Sequence, residues 1–432
     1  MALVGLWHLP GVAFKNTEMK QYTFIDLFAG CGGLTEGFLQ TGRYEALAHV
    51  EWEMPMVNTL RHRLVQKWSH SEEDAKKRVV CFDIQKTDEL INGHWSDETK
   101  KTYGSCNATD VSTNGLKGLV GKKKLDLIIG GPPCQAYSIH GRATDKNSMQ
   151  DDYRNYLFES FCKVVDAFQP EVFVFENVRG LLSARPGGKF VTERIYEAFE
   201  KIGYDILSPK DLKNALYDAS LFEVPQYRPR VIILGVKKGA SIKLADLYSA
   251  ITKEESKSPA LTVRSAIGNL PELLPLDKPI KVGRLTHSHS ENPNGSISQH
   301  EARNHGERER QIFREWVENG MNHVSHQAMI DYYFQKTGHK TLYQKYKSLE
   351  WDKPSHTIVA HLSKDGYMFI HPDPKQERSI TIREAACLQS FPMDFEFIAS
   401  TPYCYKMIGN AVPVNFAKGI ATGISKELDK QK

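Results

Sequence analysis

Tyr22-Thr23-Phe24-Ile25-Asp26-Leu27-Phe28-Ala29-Gly30-Cys31-Gly32-Gly33-Leu34 is the stretch on which the fold turns. Tyr22 to Phe28 is a short, mostly apolar run entering a glycine-rich turn. Leu34 to Leu39 after it has helical character, so the chain opens as strand, turn and helix. Glycines there let the backbone approach a ligand at the strand's carboxyl end. The spacing of Gly30, Gly32 and Gly33 is not that of a dinucleotide fingerprint, and the turn alone fits a plain strand-to-helix connection as well as a cradle.

Outward from this turn, apolar runs recur at Ala46 to Val50, Val79 to Phe82, Leu125 to Ile129, Val172 to Phe175 and Val231 to Val236, several with helix-like stretches between them. Such alternation predicts an α/β fold, a parallel sheet covered by helices. The polar stretch from Asp83 to Leu125, ending in Lys122, Lys123 and Lys124, is expected to be a solvated surface insertion. After Val236 apolar periodicity weakens, which places a second, smaller domain there. From Thr401 the pattern is compact again, with a turn at Gly409-Asn410 and a helix from Val414 to Leu428 that should pack back on the first domain. The chain thus divides into residues 1–265, 266–399 and 400–432.

Among 432 residues, 41% are hydrophobic and 25% charged, enough to bury a large core plus a smaller one. Lys and Arg number 56 against 52 for Asp and Glu, so any polyanion must be met by a local basic cleft rather than by the net charge of +4. No apolar run is long enough to span a bilayer and no cleavable signal pattern opens the chain, so no membrane and a cytoplasmic or nucleoid location are expected. The seven cysteines contain no CxxC pair, which argues against a disulfide framework and a thiolate metal site. Ten of the sixteen histidines fall between His287 and His371. Their spacings match no zinc pattern, and surface histidines facing phosphates or base edges need no metal, so none is expected.

The chemistry gathers where runs end. Glu51 closes the second run, where an acid accepts hydrogen bonds from ribose hydroxyls in this architecture, and Trp52 offers a stacking face. Asp83 could accept from an adenine amino group or simply cap a turn. Gly130-Gly131-Pro132-Pro133-Cys134-Gln135 follows a strand directly, and its two prolines fix the backbone and project a cysteine, as a nucleophile requires and a packing cysteine does not. Glu176-Asn177-Val178 brings a carboxyl to the same sheet edge if the strands are parallel. Gln226-Tyr227-Arg228-Pro229-Arg230 spaces two arginines to one face of an extended backbone, as a functional pair or as surface salt bridges.

In that order, from about Thr23 to about Ala417, these residues resemble the bacterial DNA cytosine-5 methyltransferase family of restriction-modification type. The resemblance implies a Rossmann-like mixed sheet with helices on both faces, S-adenosylmethionine as cofactor and a smaller target-recognition domain. It implies cofactor contacts at Phe28, Ala29, Gly30, Gly32, Gly33, Glu51, Trp52, Asp83, Ile84, Pro132 and Asn410, and catalytic roles for Cys134, Glu176, Arg228 and Arg230. Substrate contacts are implied at Gln135, Ser138, Asn177 and Gln226. Arg383 to Pro392 would be the helix organising the recognition domain, and residues 136–155, with Gly141, would form the lid.

The implied chemistry is attack of the Cys134 thiolate at carbon 6 of a cytosine flipped out of double-stranded DNA, with Glu176 sharing a proton with N3. Arg230 would hold the base carbonyl and Arg228 support the thiol side. The expected form is a monomer, with an endonuclease acting on the same site as the partner such a family implies. An RNA cytosine-5 methyltransferase of the same fold and a catalytically silent DNA-binding module are the alternatives. The span from Arg230 to Thr381 favours duplex DNA by leaving room for a reading domain, and the intact Cys134, Glu176 and arginines speak against a silent module.

Overall fold

The apolar runs become strands because each alternates buried side chains toward two faces. In β1 (Tyr22–Leu27), Ile25 and Leu27 enter one core layer while Tyr22 and Phe24 enter the other. β2 (Tyr44–Glu51), β3 (Val79–Cys81), β4 (Leu127–Gly130) and β5 (Val172–Val178) join β1 as parallel neighbours. The sheet order is β3-β2-β1-β4-β5-β8-β6, with β6 at Tyr204–Asp205 and β7 (Leu216–Asp218) beside β8 (Pro229–Lys237). The description covers residues 20–133, 157–258, 260–282, 285–292, 295 and 297–431 of a computed structural model.

β8 makes the sheet mixed, as the resemblance implies, rather than wholly parallel as the apolar runs alone suggest. It runs antiparallel to β5, pairing Val178 with Arg230 and Val172 with Val236. The reversal matters for the site. The carboxyl ends of β1, β2, β3, β4 and β5 share one edge of the sheet, and an antiparallel β8 brings its amino end, not its carboxyl end, to that edge. The motif that precedes a strand is thereby delivered beside motifs that follow strands.

The stretch between Asp83 and Leu125 is not a solvated insertion. It forms helices Thr87–Asn92, Asp97–Tyr103 and Thr109–Val120, and buries Leu90, Ile91, Trp95, Val111, Leu116 and Val120 in the main core with Phe161 and Phe173. Its polar composition misled because short amphipathic helices hide few apolar residues among many exposed lysines and threonines. The opposite face is covered by Gly33–Leu39, Leu244–Thr252 and the final helix Val414–Asp429, whose Phe416, Ile420 and Ile424 lie in the second layer. A third apolar cluster runs from Cys31 and Met56 through Val263, Phe369 and Leu388 to Met407 and Val414, so the smaller part is fused to the catalytic sheet.

The expected turn at Gly409-Asn410 is instead the last turn of helix Thr401–Asn410, with the chain reversing at Ala411 to Pro413. Gly409 is needed there because an added Cβ would meet the Val359 and Ala360 backbone at 2.3 Å. His289, His300, His305 and His371 are also not on a surface. They are buried, with His289 against the Gln376 carbonyl at 2.8 Å and His300 against the Pro271 carbonyl at 2.8 Å. Burial holds His289 down to about 4 and His371 to about 3, so they pack as neutral rings. No helix among the described residues is long and apolar enough to cross a membrane.

Candidate active site

The turn after β1 is unusual in backbone conformation. Phe28 (φ 59°), Gly30 (φ 58°) and Gly32 (φ 94°) are all left-handed, and the turn is held by its own amides, with Ala29 donating to the Val50 carbonyl at 3.0 Å and Gly32 to the Ala29 carbonyl at 2.9 Å. An added Cβ on Gly33 would lie 2.4 Å from the Val412 carbonyl oxygen, so that glycine lets the C-terminal segment close against the turn. Above Gly30 the nearest atom to an added Cβ is the Met56 sulfur at 4.0 Å, which leaves the loop open to an approaching ligand.

Glu51 fixes this loop. Its Oε2 accepts from the Gly30 amide at 2.9 Å, and its Oε1 accepts from the Trp52 and Glu53 amides at 2.8 and 2.9 Å. Burial pushes its carboxyl up, and those three N–H groups oppose the shift. Oε2 makes one of these bonds and retains a lone pair for a further donor. Trp52 is 54% exposed and gives a free aromatic face beside it. Asp83 is half-buried with Oδ1 accepting from Gln85 at 3.0 Å, and Ile84 is buried next to it. A glycine cradle, two carboxylates and an aromatic face suit an adenosine-bearing molecule. Asn410 is exposed at its helix end, two residues before the Val412 that meets Gly33.

Beneath the cradle lies an unanticipated buried triad. Thr35 donates to Asp26 Oδ2 at 2.7 Å, so His49 Nδ1, 3.1 Å from the same hydroxyl, must carry the hydrogen and donate to it. Burial pushes Asp26 up to about 7 and His49 down to about 3. The cue was available in Asp26 itself, an acid inside an otherwise apolar strand.

Cys134, Gln135 and Ser138, with the lid at 136–155, lie outside the described residues. The approach to Cys134 is described through Pro133. Asn177 Nδ2 donates to the Pro132 carbonyl at 3.2 Å, and its own Oδ1 accepts from Val178. Asn177 thus grips the rigid Pro-Pro segment rather than facing open space. Gly131 has a steric role that the motif alone did not reveal, because an added Cβ would stand 2.7 Å from Glu176 Oε2. Glu176 is buried, and Arg230 Nε lies 2.8 Å from its Oε1. Burial pushes the Glu176 carboxyl up, against the opposing pull of Arg230 and Arg228.

The two arginines are not equivalent. Arg228 is 1% exposed and donates to the carbonyls of Ile358 (2.5 Å), Gly409 (2.8 Å) and Ala411 (2.9 Å). Gln226 is fully buried, which corrects its expected substrate contact. Its Nε2 donates to Leu388 O and Gln389 Oε1, each at 3.1 Å, and its Oε1 accepts from the Ile358 amide at 2.8 Å. Gln389 completes the knot by donating to the Ile408 carbonyl at 2.6 Å. Gln226 and Arg228 lace the sheet edge to the helix Ile382–Leu388 and the C-terminal segment, while Arg230 turns toward Glu176.

Against known proteins, the family model for C-5 cytosine-specific DNA methylase matches residues 22–101 and 94–426. The chain is 34% identical to the type II methyltransferase M.Bpa9945I of Bacillus paralicheniformis over 447 residues, covering 94% of this chain and 99% of that protein. It is 30% identical to the type II methyltransferase M1.HphI of Haemophilus parahaemolyticus, covering 94% and 87%. Among solved structures, a prophage-encoded E. coli protein described as a DNA modification methyltransferase shares the fold, with a TM-score of 0.56 and 22% identity over 95% of this chain and all of that one. With the glycine cradle, the Pro-Pro approach and the Glu176–Arg230 pair at one sheet edge, the chain belongs to the C-5 cytosine-specific DNA methylase family and is a DNA cytosine-5 methyltransferase.

Proposed function

We propose that this enzyme methylates one cytosine within a specific duplex sequence as the modification half of a restriction-modification system, with Cys134 as nucleophile. The buried Glu176–Arg230 pair carries the reading, because it sits against the Gly-Gly-Pro-Pro segment that delivers Cys134. S-adenosylmethionine supplies the methyl group, and the Gly30 turn, Glu51, Trp52 and Asp83 are the residues that would hold it.

The Cys134 thiolate adds to carbon 6 of a cytosine turned out of the stack, making carbon 5 enamine-like. Glu176, with its carboxyl pushed up by burial, shares a proton with N3 and so neutralises the electron pair arriving on the ring. Arg230 keeps Glu176 oriented and offers its remaining N–H groups to the base carbonyl. Once carbon 5 is methylated, its proton leaves to a base or water and the thiolate is expelled. Asn177 positions the segment before Cys134 through the Pro132 carbonyl. Residues 266–399 act as the recognition domain, and the enzyme works as a monomer in the cytoplasm alongside an endonuclease of the same specificity.

The test is transfer of labelled methyl from S-adenosylmethionine to duplex DNA and, in parallel, to transfer RNA, with wild type and Cys134→Ser. Label at carbon 5 of DNA cytosine that vanishes in the variant is expected. Transfer to RNA alone would discard the substrate assignment, and transfer surviving Cys134→Ser would discard the nucleophile.

A further inference from the structure

The smaller part of the chain has an aromatic core of its own, in which Phe313, Trp316 and Tyr346 are buried and Tyr332, Tyr333 and Tyr367 pack around them. Helix His326–Thr337 lies on this core through the buried Met329 and the half-buried Tyr332 and Tyr333, and ends at Gly338 in the left-handed region (φ 72°). The chain then forms an exposed tip before Tyr346 returns to the core. Leu342 (79%) and Tyr343 (73%) are the two most exposed of the large exposed hydrophobic residues described, and Phe334 on the helix is 46% exposed.

This apolar tip is not floppy in its bonding. The Thr341 hydroxyl donates to the Tyr343 carbonyl and accepts from the Tyr343 amide, both at 3.1 Å, and Gln344 Nε2 donates to the Tyr346 carbonyl at 2.8 Å. From Tyr332 to Leu349 the sequence holds four lysines and one histidine and no carboxylate. Lys340 and Lys345 flank the two apolar side chains, are exposed, and among the described residues form no ion pair. Two exposed apolar side chains raise an aggregation hazard unless they have an occupant, and cations on both sides select a polyanion with an apolar interior face. A nucleic-acid groove, with phosphates at its rims and base edges and thymine methyls at its floor, has that layout.

We propose that residues 334–345 are a sequence-reading element that enters a groove of the duplex, with Leu342 and Tyr343 against the bases and Lys340 and Lys345 on the flanking phosphates. The inference rests on the protein acting on duplex DNA and adds which residues set its specificity.

The experiment compares wild type with Lys340→Ala/Lys345→Ala and Leu342→Ser/Tyr343→Ser in duplex binding against salt and in the sequence context of methylated cytosines on plasmid DNA. The lysine pair should reduce the slope of log affinity against log salt by about 2, since each phosphate contact contributes about 0.9, and leave the methylated context unchanged. The apolar pair should keep the salt slope and lose about tenfold or more in discrimination between target and other sequences. Slope and context both at wild-type values in both variants would overturn the proposal. Should either variant lose S-adenosylmethionine binding through misfolding, a photo-crosslinking residue in place of Tyr343 decides: crosslinks to the duplex uphold the element, and crosslinks only to a second copy of the chain overturn it. Duplex bound through this tip without methyl transfer by wild type would sink the proposed function and not this inference.

Discussion

Arg230 Nε stands 2.8 Å from Glu176 Oε1 across the antiparallel pair of β5 and β8. The register explains the meeting. Arg230 is opposite Val178, and Glu176 shares Val178's face of β5, so the two side chains are diagonal neighbours on one face. An acid that burial pushes up is held by a cation that pulls it down.

Turnover should therefore be bell-shaped in pH. It rises as the Cys134 thiolate forms and falls as the raised Glu176 carboxyl loses its proton. Arg230→Ala removes the charge opposing the upward shift, so the descending limb should move to higher pH. Glu176→Gln should lose about 10²–10⁴-fold in kcat and flatten that limb. A descending limb unmoved in Arg230→Ala would remove Glu176 as the titrating group.

Trp52→Ala should weaken S-adenosylmethionine binding by about 1–3 kcal/mol, the usual value of an aromatic face under a base, with no change in thermal stability because the ring is half out in solvent. Trp52→Phe should recover much of the affinity. Calorimetric titration gives the answer, and an unchanged Kd in Trp52→Ala would move the adenine elsewhere.

Asn177→Ala should lower kcat by about 10–100-fold through a displaced Pro132 segment while leaving cofactor affinity within about twofold. Asn177→Asp should not rescue it, because a carboxylate cannot donate to a carbonyl. Rescue by Asp would mean that the bond to Pro132 is immaterial.

Arg228→Ala and Gln226→Ala should each destabilise the fold by about 2–4 kcal/mol in urea, since buried carbonyls at Ile358, Gly409 and Ala411, or the Ile358 amide, lose their partners. An Arg228→Ala chain as stable as the parent would show that these bonds hold nothing together.

Asp26 gives a prediction between acid and neutral pH. Its folded pKa of about 7 lies above the usual 3.8, so its contribution to stability is full below about pH 4 and is lost as pH rises through about 7. Wild type should lose stability between about pH 4 and 7 and level off above that, and Asp26→Asn should flatten that decline in thermal melts. A parallel decline in both proteins would exclude Asp26 as its source.

Local order was legible in the sequence because strands declare themselves by apolar runs and the reactive motifs sit at their ends. β1 to β5, the glycine turn, Glu51 and Glu176 needed no tertiary information, since a parallel sheet carries every strand's carboxyl end to one edge. What only the tertiary structure decided is where side chains of identical type point. Arg228 and Arg230 are two apart, yet one is consumed by three backbone carbonyls from distant segments and the other reaches an acid on the neighbouring strand. The helices between Asp83 and Leu125 and the buried histidines escaped notice for the same reason. Their partners come from residues far along the chain, and a polar residue reads as exposed until the groups that satisfy it are brought beside it.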